Sequence, residues 1–502
     1  MSAKKHASNE SAKPRKSAAE EQLLGELEMR IAGTQYHETD VQPGEQISLE
    51  REPDNPHDEH AIVVENGHFQ PVGHLPRRLC SWLAPLIDEG KVRVEGYVPK
   101  SARPGHTRSP LTLTVFLCEK GQHLLEKAST DGSFNVLHEV VRQAYRDAHE
   151  YSDPELITEL ANGLRPLARQ ELLPETRLLL ALLPGLAQER RTAKAFEAMA
   201  NMQELLGKIT IGEPLHHHNL TVFPLSWPKK QKPAYDLLSH AIEQGEATVE
   251  EVDEDGEVPN LSVTNSSDRP ILIPEGEILV GAKQNRVVNV TVLVAAQSTF
   301  KVPVSCVEQG RWRYQSRRFS NERCAPPSLR SKKMRAVQAT RESQGTADGD
   351  QGEVWEDVAD CLCSMGVDSE TSSLTDGFEA AEEKLREYRD SLKLPKNAAG
   401  VVVARGDQVI GMDLFGSRET LSTQWGRLSD AYFFDALRNK RRRKKAAKKL
   451  VGQFIKQTTA CAKPRVPALG LGAELEIAGE AFVGGALLYS GQVCHLSAFS
   501  DN

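Results

Sequence analysis

The chain has 502 residues, 39% of them hydrophobic, and a formal net charge of −8. That length supports two or three domains with separate cores. The charge excludes a protein that coats nucleic acid indiscriminately, since that mode needs a dominant cationic surface.

Eight scattered cysteines, with no C-x-x-C pair and no histidine at zinc-ribbon distance, fit reduced thiols in a cytoplasmic protein and argue against a structural metal. No run approaches the roughly 18 apolar residues of a membrane span, and the N-terminus lacks an apolar signal region, so neither secretion nor membrane attachment is expected. No cofactor is expected either.

Residues 1–22 form a polar, basic leader with nothing to bury, expected to be disordered and solvated. From residue 24 to about 122 the pattern is β-rich. Leu27 to Ile31, Ile47 to Glu50, Ala61 to Val64, Val92 to Val98 and Leu111 to Leu117 read as strands. Arg77 to Asp88, with Leu79, Trp82, Leu83 and Leu86 on one face, reads as a short helix. Five strands and a helix in this span predict a small, partly open, OB-like β-barrel. Between the second and third strands, Pro53 and Pro56 forbid helix and central-strand pairing. Asp54, Asn55 and Asp58 can bond their own backbone and freeze a shaped loop, a favourable place for a binding site. The same side chains serve equally well as loop caps alone.

The segments Leu49-Glu50-Arg51-Glu52-Pro53-Asp54-Asn55-Pro56, Asp58, Ala61-Ile62-Val63-Val64 and Val72-Gly73-His74-Leu75-Pro76 resemble the HIRAN domain. This small β-rich module is found in bacterial proteins and at the front of eukaryotic replication-fork remodellers. The resemblance implies capture of a single-stranded DNA 3′ end, with aromatic groups stacking the terminal base and polar groups holding the hydroxyl and phosphates. Tyr36, Asn55, His57, Asp58, His74 and Arg77 fall at positions matching that pocket. Two departures stand out: His57 replaces an aromatic tyrosine and Gln35 replaces an arginine, so one stacking surface is smaller and one phosphate contact is missing. For His74, packing at a strand end is the competing role.

Residues 130–206 read as a helical connector: Asn135 to His149, Glu155 to Ala168, Leu172 to Leu186 ended by Pro184-Gly185, and Arg190 to Leu206. A large mixed α+β domain is expected from about 209 to 502. In it, Ile271 to Val280 and Val287 to Val294 read as apolar strands bracketing Gly281-Ala282-Lys283-Gln284-Asn285-Arg286. Consecutive polar side chains between buried strands are costly unless they bond one another, the backbone or a ligand. With Ser305-Cys306-Val307-Glu308-Gln309-Gly310-Arg311-Trp312, these segments resemble the ARG-and-rhodanese-phosphatase-superfamily-associated domain family, for which the resemblance implies no settled activity. Glu275, Gln284, Asn285, Arg286, Glu308, Arg311 and Trp312 are the candidates for a pocket that binds a small polar or phosphorylated group. The competing reading is a buried network that fixes the fold.

Cys306 with Glu308, and His495 or one of His216, His217 and His218 as base, would make a Cys-His hydrolase for nucleotide or phosphoester substrates. A cysteine on an apolar strand is more often a small buried hydrophobe. Adjacent histidines can place His216 and His218 on one strand face, which without a matched carboxylate is poor evidence for a metal. Residues 318–352, rich in charge, Ser and Gly, predict an exposed insertion. Arg438 to Lys449 has nine cationic residues in twelve. Lys440, Arg441, Arg442, Arg443, Lys444 and Lys445 at its centre are either a solvated face or a phosphate-binding patch.

The sequence therefore predicts a bacterial, multidomain binding protein. A HIRAN-like module engages nucleic-acid ends, coupled to a ligand-binding domain, in DNA repair or defence. The alternatives are a hydrolase and a protein–protein adaptor.

Overall fold

The computed structural model describes residues 22–37, 39–100, 109–125, 136–150, 154–169, 172–252, 259–316, 318–438, 445–466 and 468–500. The expected basic leader, residues 1–22, lies outside them except for Gln22, which begins the first strand. The chain divides into two compact units at Arg190/Arg191. It is a multidomain α+β protein, and no helix among the described residues is long and apolar enough to cross a membrane.

In the first unit, strands β1 (Gln22–Arg30), β2 (Gln46–Arg51), β3 (Ile62–Glu65), β4 (Pro71–His74), β5 (Val92–Tyr97) and β6 (Pro110–Leu117) form one antiparallel sheet in the order β1-β6-β5-β2-β3-β4. The period-2 pattern of β6 is the simplest case: Leu111, Leu113, Val115 and Leu117 all point inward and are buried, as a sheet with one covered face requires. The two outer edges meet. Ala32 and His74 exchange backbone hydrogen bonds of 2.8 and 2.9 Å, which joins the chain after β1 to β4 and closes a small barrel. Gly73 permits the join: its φ is +152°, and a Cβ there would lie 2.5 Å from the Ala32 carbonyl oxygen. Helix α1 (Arg77–Asp88) buries Cys80, Trp82, Leu83, Ala84 and Leu86.

Helices α2 (Val136–Glu150), α3 (Pro154–Leu164) and α4 (Pro174–Gly207) follow. The expected stop at Pro184-Gly185 does not occur, because α4 runs through it. Proline forfeits one helical hydrogen bond, but buried Leu178, Leu179, Leu182, Leu183 and Leu186 flank it. Gly185 also lets the helix backbone approach the strand: a Cβ there would sit 2.6 Å from the Glu26 carbonyl.

The second unit is built on a nine-stranded antiparallel sheet. At its centre are Leu220–Ser226, Gly400–Arg405, Gln408–Phe415 and Gln492–Ser500. These strands are apolar on both faces because both are covered. Val401 and Val403 pack under α7 (Gln351–Met365), α8 (Leu374–Ser391) and α9 (Arg418–Arg438). Val402 and Ala404 pack towards α10 (Lys448–Ala460). A six-stranded sheet contains Glu277–Gly281, Arg286–Val288, Ser298–Cys306 and Phe319–Cys324. The expected continuous strand Ile271 to Val280 is two strands in different sheets, Ile271–Ile273 and Glu277–Gly281. Pro274 and Gly276, at φ +83°, break it. The expected strand Val287 to Val294 is likewise divided into Arg286–Val288 and Val292–Val294.

The predicted exposed insertion at 318–352 is corrected by the structure. It contributes the strand Phe319–Cys324 and helix α6 (Pro327–Gln344), and two of its charges, Arg330 and Lys333, turn inward. Arg330 is 1% exposed and bridges two buried carboxylates. Its Nε and Nη2 donate to Glu275 Oε1 at 2.9 and 2.6 Å, and Nη1 and Nη2 donate to Asp413 Oδ2 and Oδ1 at 3.0 and 2.7 Å. Lys333 also donates to the Asn289 carbonyl at 3.2 Å and lies 3.4 Å from Glu275. Asp413 accepts the Tyr432 hydroxyl at 2.7 Å and lies 3.1 Å from His495 Nε2. Burial alone would push the Asp413 carboxyl up; Arg330 and His495 outweigh it and hold it at about 2.

Removing one partner of such a network strands the others without counter-charges. Arg330→Met is expected to lower unfolding free energy by about 3–5 kcal/mol, read as a reduced urea midpoint. Asp413 has a depressed folded-state pKa, so its contribution is full above its ordinary value near 3.8 and is lost as pH falls towards about 2. Asp413→Asn should therefore be less stable at neutral pH and lose less on acidification across that window.

Candidate functional site

Loop 52–61 joins β2 to β3 and is held at both ends by adjacent side chains. Arg51 donates from Nε and Nη2 to Asp88 at 2.9 and 2.8 Å, from Nη1 to the Ala61 carbonyl at 2.6 Å, and from Nη2 to the Glu59 carbonyl at 3.1 Å. Glu52 Oε2 accepts the Asn55 amide at 2.9 Å and lies 2.9 Å from His74 Nε2. The Asn55 hydrogen bond, and then His74, hold the Glu52 carboxyl below the usual range. Within the loop, Asn55 Oδ1 accepts the His57 N–H and Asp58 Oδ1 accepts the His60 N–H, each at 3.0 Å. These are consecutive Asx turns.

Of the expected nucleic-acid residues, Asn55, Asp58 and His74 are half-buried and tied into this framework, while His57 is exposed on the loop. Arg77, at the start of α1, has a side chain 79% exposed with Nε 3.6 Å from Asp58 Oδ2. Tyr36 ends the short 3-10 turn Thr34–Tyr36 and is 82% exposed. Beside it, the His37 and His74 rings lie 6.3 Å apart. The Gln35 side chain lies outside the described ones. Glu52, which joins Asn55 to His74, was missed as a site residue; its place immediately before Pro53 in the loop motif was the available signal. The result is an open face with an aromatic ring and a guanidinium presented to solvent from a stiff base.

In the large domain, six of the seven expected pocket residues come together, and they largely bond one another. Arg311 donates to Glu308 from Nε at 2.9 Å and from Nη2 at 2.6 Å, and to the Ala282 carbonyl and Asn285 Oδ1 at 2.6 and 3.2 Å. Glu308 also accepts the Asn285 N–H at 3.0 Å. Arg286 is fully buried; its Nη1 donates to Gln284 Oε1 at 2.7 Å, while Nε and Nη2 have no hydrogen-bond partner among the described residues. Its guanidinium carbon sits 5.7 Å from the ring centre of half-exposed Trp312. Glu275 stands apart from this group, committed to Arg330 and Lys333.

The Cys306–His495 arrangement is not formed. Cys306 is fully buried, its Sγ lies 3.2 Å from both Gln284 Oε1 and the Glu308 carbonyl so that its one proton can go to either, and burial pushes its thiol up. His495 has both nitrogens engaged elsewhere, with Asp413 and with Thr291 Oγ1 at 2.8 Å. Thr291 Oγ1 also accepts the Glu275 N–H at 3.1 Å. This hydroxyl–imidazole–carboxylate chain, which the sequence reading did not identify, ends at a cavity of about 40 Å³ lined by Thr291, Glu275, Arg341, Glu474 and Ser497. In the expected phosphate patch, Lys440, Arg441, Arg442, Arg443 and Lys444 lie outside the described residues; Lys445 is exposed.

The HIRAN domain family model matches residues 24–118. Human "Helicase-like transcription factor" is 37% identical over 94 residues, which are 19% of this chain and 9% of that protein, so the chain matches about a tenth of that relative's length. Two solved structures cover 20% of this chain. The crystal structure of the HIRAN domain of human HLTF is 31% identical, with 83% of that chain covered and a TM-score of 0.18. The NMR structure of the HLTF HIRAN domain in its DNA-bound conformation is 32% identical, with 84% covered and a TM-score of 0.19. The model described as "ARG and Rhodanese-Phosphatase-superfamily-associated Protein domain" matches residues 208–499. Since that span exceeds half of the sequence, the chain belongs to the ARG and Rhodanese-Phosphatase-superfamily-associated Protein domain family, with a HIRAN domain ahead of the family domain.

Proposed function

We propose that the HIRAN domain binds the 3′ end of single-stranded DNA and brings it to a large domain that takes a small polar or phosphorylated ligand. The observation that carries this reading is Tyr36, an aromatic ring 82% exposed one residue before His37, whose ring lies 6.3 Å from His74, itself tied to Glu52 of the stiffened loop. A base stacked on such a ring contributes roughly 1–3 kcal/mol, and Arg77 supplies a cation for a phosphate oxygen. The net charge of −8 makes such contacts local rather than diffuse. The DNA-bound HIRAN structure of HLTF points to the same class of ligand. His57, at a position where the family has a larger ring, leaves Tyr36 as the principal stacking surface. In the large domain, Arg286 Nε and Nη2, which lack partners among the described residues, support an anionic ligand.

Fluorescence anisotropy of the full chain with short 3′-hydroxyl and 3′-phosphate single strands, at two salt concentrations, tests this reading. Tyr36→Ala should weaken binding by about 1–3 kcal/mol without loss of stability, because the ring is exposed. Arg77→Ala should weaken it too and reduce the salt slope by about 0.7, the value for one phosphate contact on a single strand. Equal, salt-independent and millimolar-weak binding to both strands would overturn the proposal.

A further inference from the structure

We propose that His217, His218 and Glu387 form a divalent transition-metal site of the zinc type on the large domain. Nothing in the proposed DNA-binding face depends on it.

The site begins with a turn. The strand Leu215–His217 pairs with Leu220–Ser226, placing His216 opposite Thr221 and His217 opposite Leu220. Successive side chains of an extended strand point to opposite faces, which would put His216 and His218 together, as the sequence reading supposed. Instead, His218 adopts a φ of 50°, a left-handed conformation uncommon for a residue other than glycine. That turn brings two consecutive imidazoles side by side, with ring centroids 4.0 Å apart. His216 separates from them and bonds Thr221 Oγ1 at 3.1 Å.

A carboxylate from another element completes the group. Glu387 on α8 places Oε1 3.0 Å from His218 Nε2 and 3.5 Å from His217 Nε2. All three ligand atoms lie within 4.8 Å of one another. A tetrahedral zinc with bonds of about 2.1 Å separates its ligands by about 3.4 Å, so both measured edges are close to those of such a centre. His217 Nε2 supplies a further observation: it is enclosed, and its 3.5 Å contact with Glu387 Oε1 falls short of a well-formed hydrogen bond. A buried nitrogen left unsatisfied is costly, and a cation between it and Glu387 would satisfy it.

The surroundings hold this geometry. Tyr388 packs edge-on against His217, with centroids 4.9 Å apart at 88°. Its hydroxyl donates to Asn219 Oδ1 at 3.1 Å, and Asn219 Nδ2 donates to the Ala436 carbonyl at 3.0 Å. The turn is thereby fixed to α8 and α9. Two imidazoles and one carboxylate suit zinc over magnesium or calcium, which prefer oxygen ligands alone. His218 and Glu387 are 59% and 58% exposed. A fourth position therefore faces solvent and is open to water or an anionic oxygen, the ligand count of catalytic rather than structural zinc.

The test is calorimetric titration of the full chain, freed of metal by chelation, with Zn²⁺ and separately with Mg²⁺; Co²⁺ absorption reports the coordination geometry. One equivalent of Zn²⁺ should bind with little competition from Mg²⁺, and Co²⁺ should give a tetrahedral spectrum. His218→Ala and Glu387→Gln should each weaken Zn²⁺ binding more than about 100-fold, beyond the range typical of second-shell changes. His216→Ala should leave it unchanged. Circular dichroism of each variant establishes that the fold survives, and Glu387→Gln, on an exposed helix face, guards against loss of the hairpin. No saturable Zn²⁺ binding, or binding that survives both ligand substitutions, would overturn the proposal.

Discussion

Arg51 and Glu52, neighbours in the chain, fix the loop of the candidate face in the first unit. One guanidinium fastens the loop to α1 through Asp88 and closes the loop's far end through the Ala61 and Glu59 carbonyls. One carboxylate gathers Asn55 and His74. Fixing a residue's backbone costs roughly 1–2 kcal/mol, and a loop ordered before a ligand arrives does not charge that cost to binding. The barrel closure at Ala32 and His74 extends the constraint, because His74 belongs both to the strand that closes the barrel and to the Glu52 cluster. Tyr36 and Arg77 can then remain exposed while their supports stay rigid.

The large domain uses charge differently. Arg330, Lys333, Glu275 and Asp413 are almost wholly removed from water and neutralise one another. Glu308, Arg311 and Asn285 do the same at the end of the six-stranded sheet. Such groups are tolerated inside a protein only when their hydrogen bonds are met. Arg286 Nε and Nη2 have no partner among the described residues, which separates this side chain from the network around it. The histidine turn lies outside both clusters, on the surface between the strand Leu215–His217 and α8.

What could be read from sequence followed from how local the determinant was. The loop was legible because Pro53 and Pro56 exclude regular structure and Asn55 and Asp58 form turns with residues two positions on. Helix α1 has the predicted limits because its apolar face is complete within twelve residues. Strand β4 was not predicted as a strand, since Pro71-Val72-Gly73-His74 lacks β-branched alternation and is held by its partners. Pro184 did not stop α4 because tertiary packing overrides local propensity. The exposed insertion was misjudged for a related reason: Arg330 and Lys333 look like surface residues until Glu275 and Asp413, distant in sequence, are placed beside them. Pairing His217 with His218 depended on one left-handed residue that no periodicity reveals, and the Cys306 pairing failed because the thiol faces Gln284 and the Glu308 carbonyl while Asp413 and Thr291 hold His495.

The central claim is that a pre-stiffened loop and the exposed ring of Tyr36 together offer a face for a DNA end. Amide hydrogen exchange of the full chain, alone and with a short 3′-hydroxyl single strand, tests it most directly. The account predicts that the amides of Asn55, His57, His60 and Ala61, each with an acceptor in the free protein, are already slowed, and that DNA adds protection around Tyr36 and Arg77. A loop that exchanges freely until DNA orders it, or DNA-induced protection elsewhere only, would contradict it.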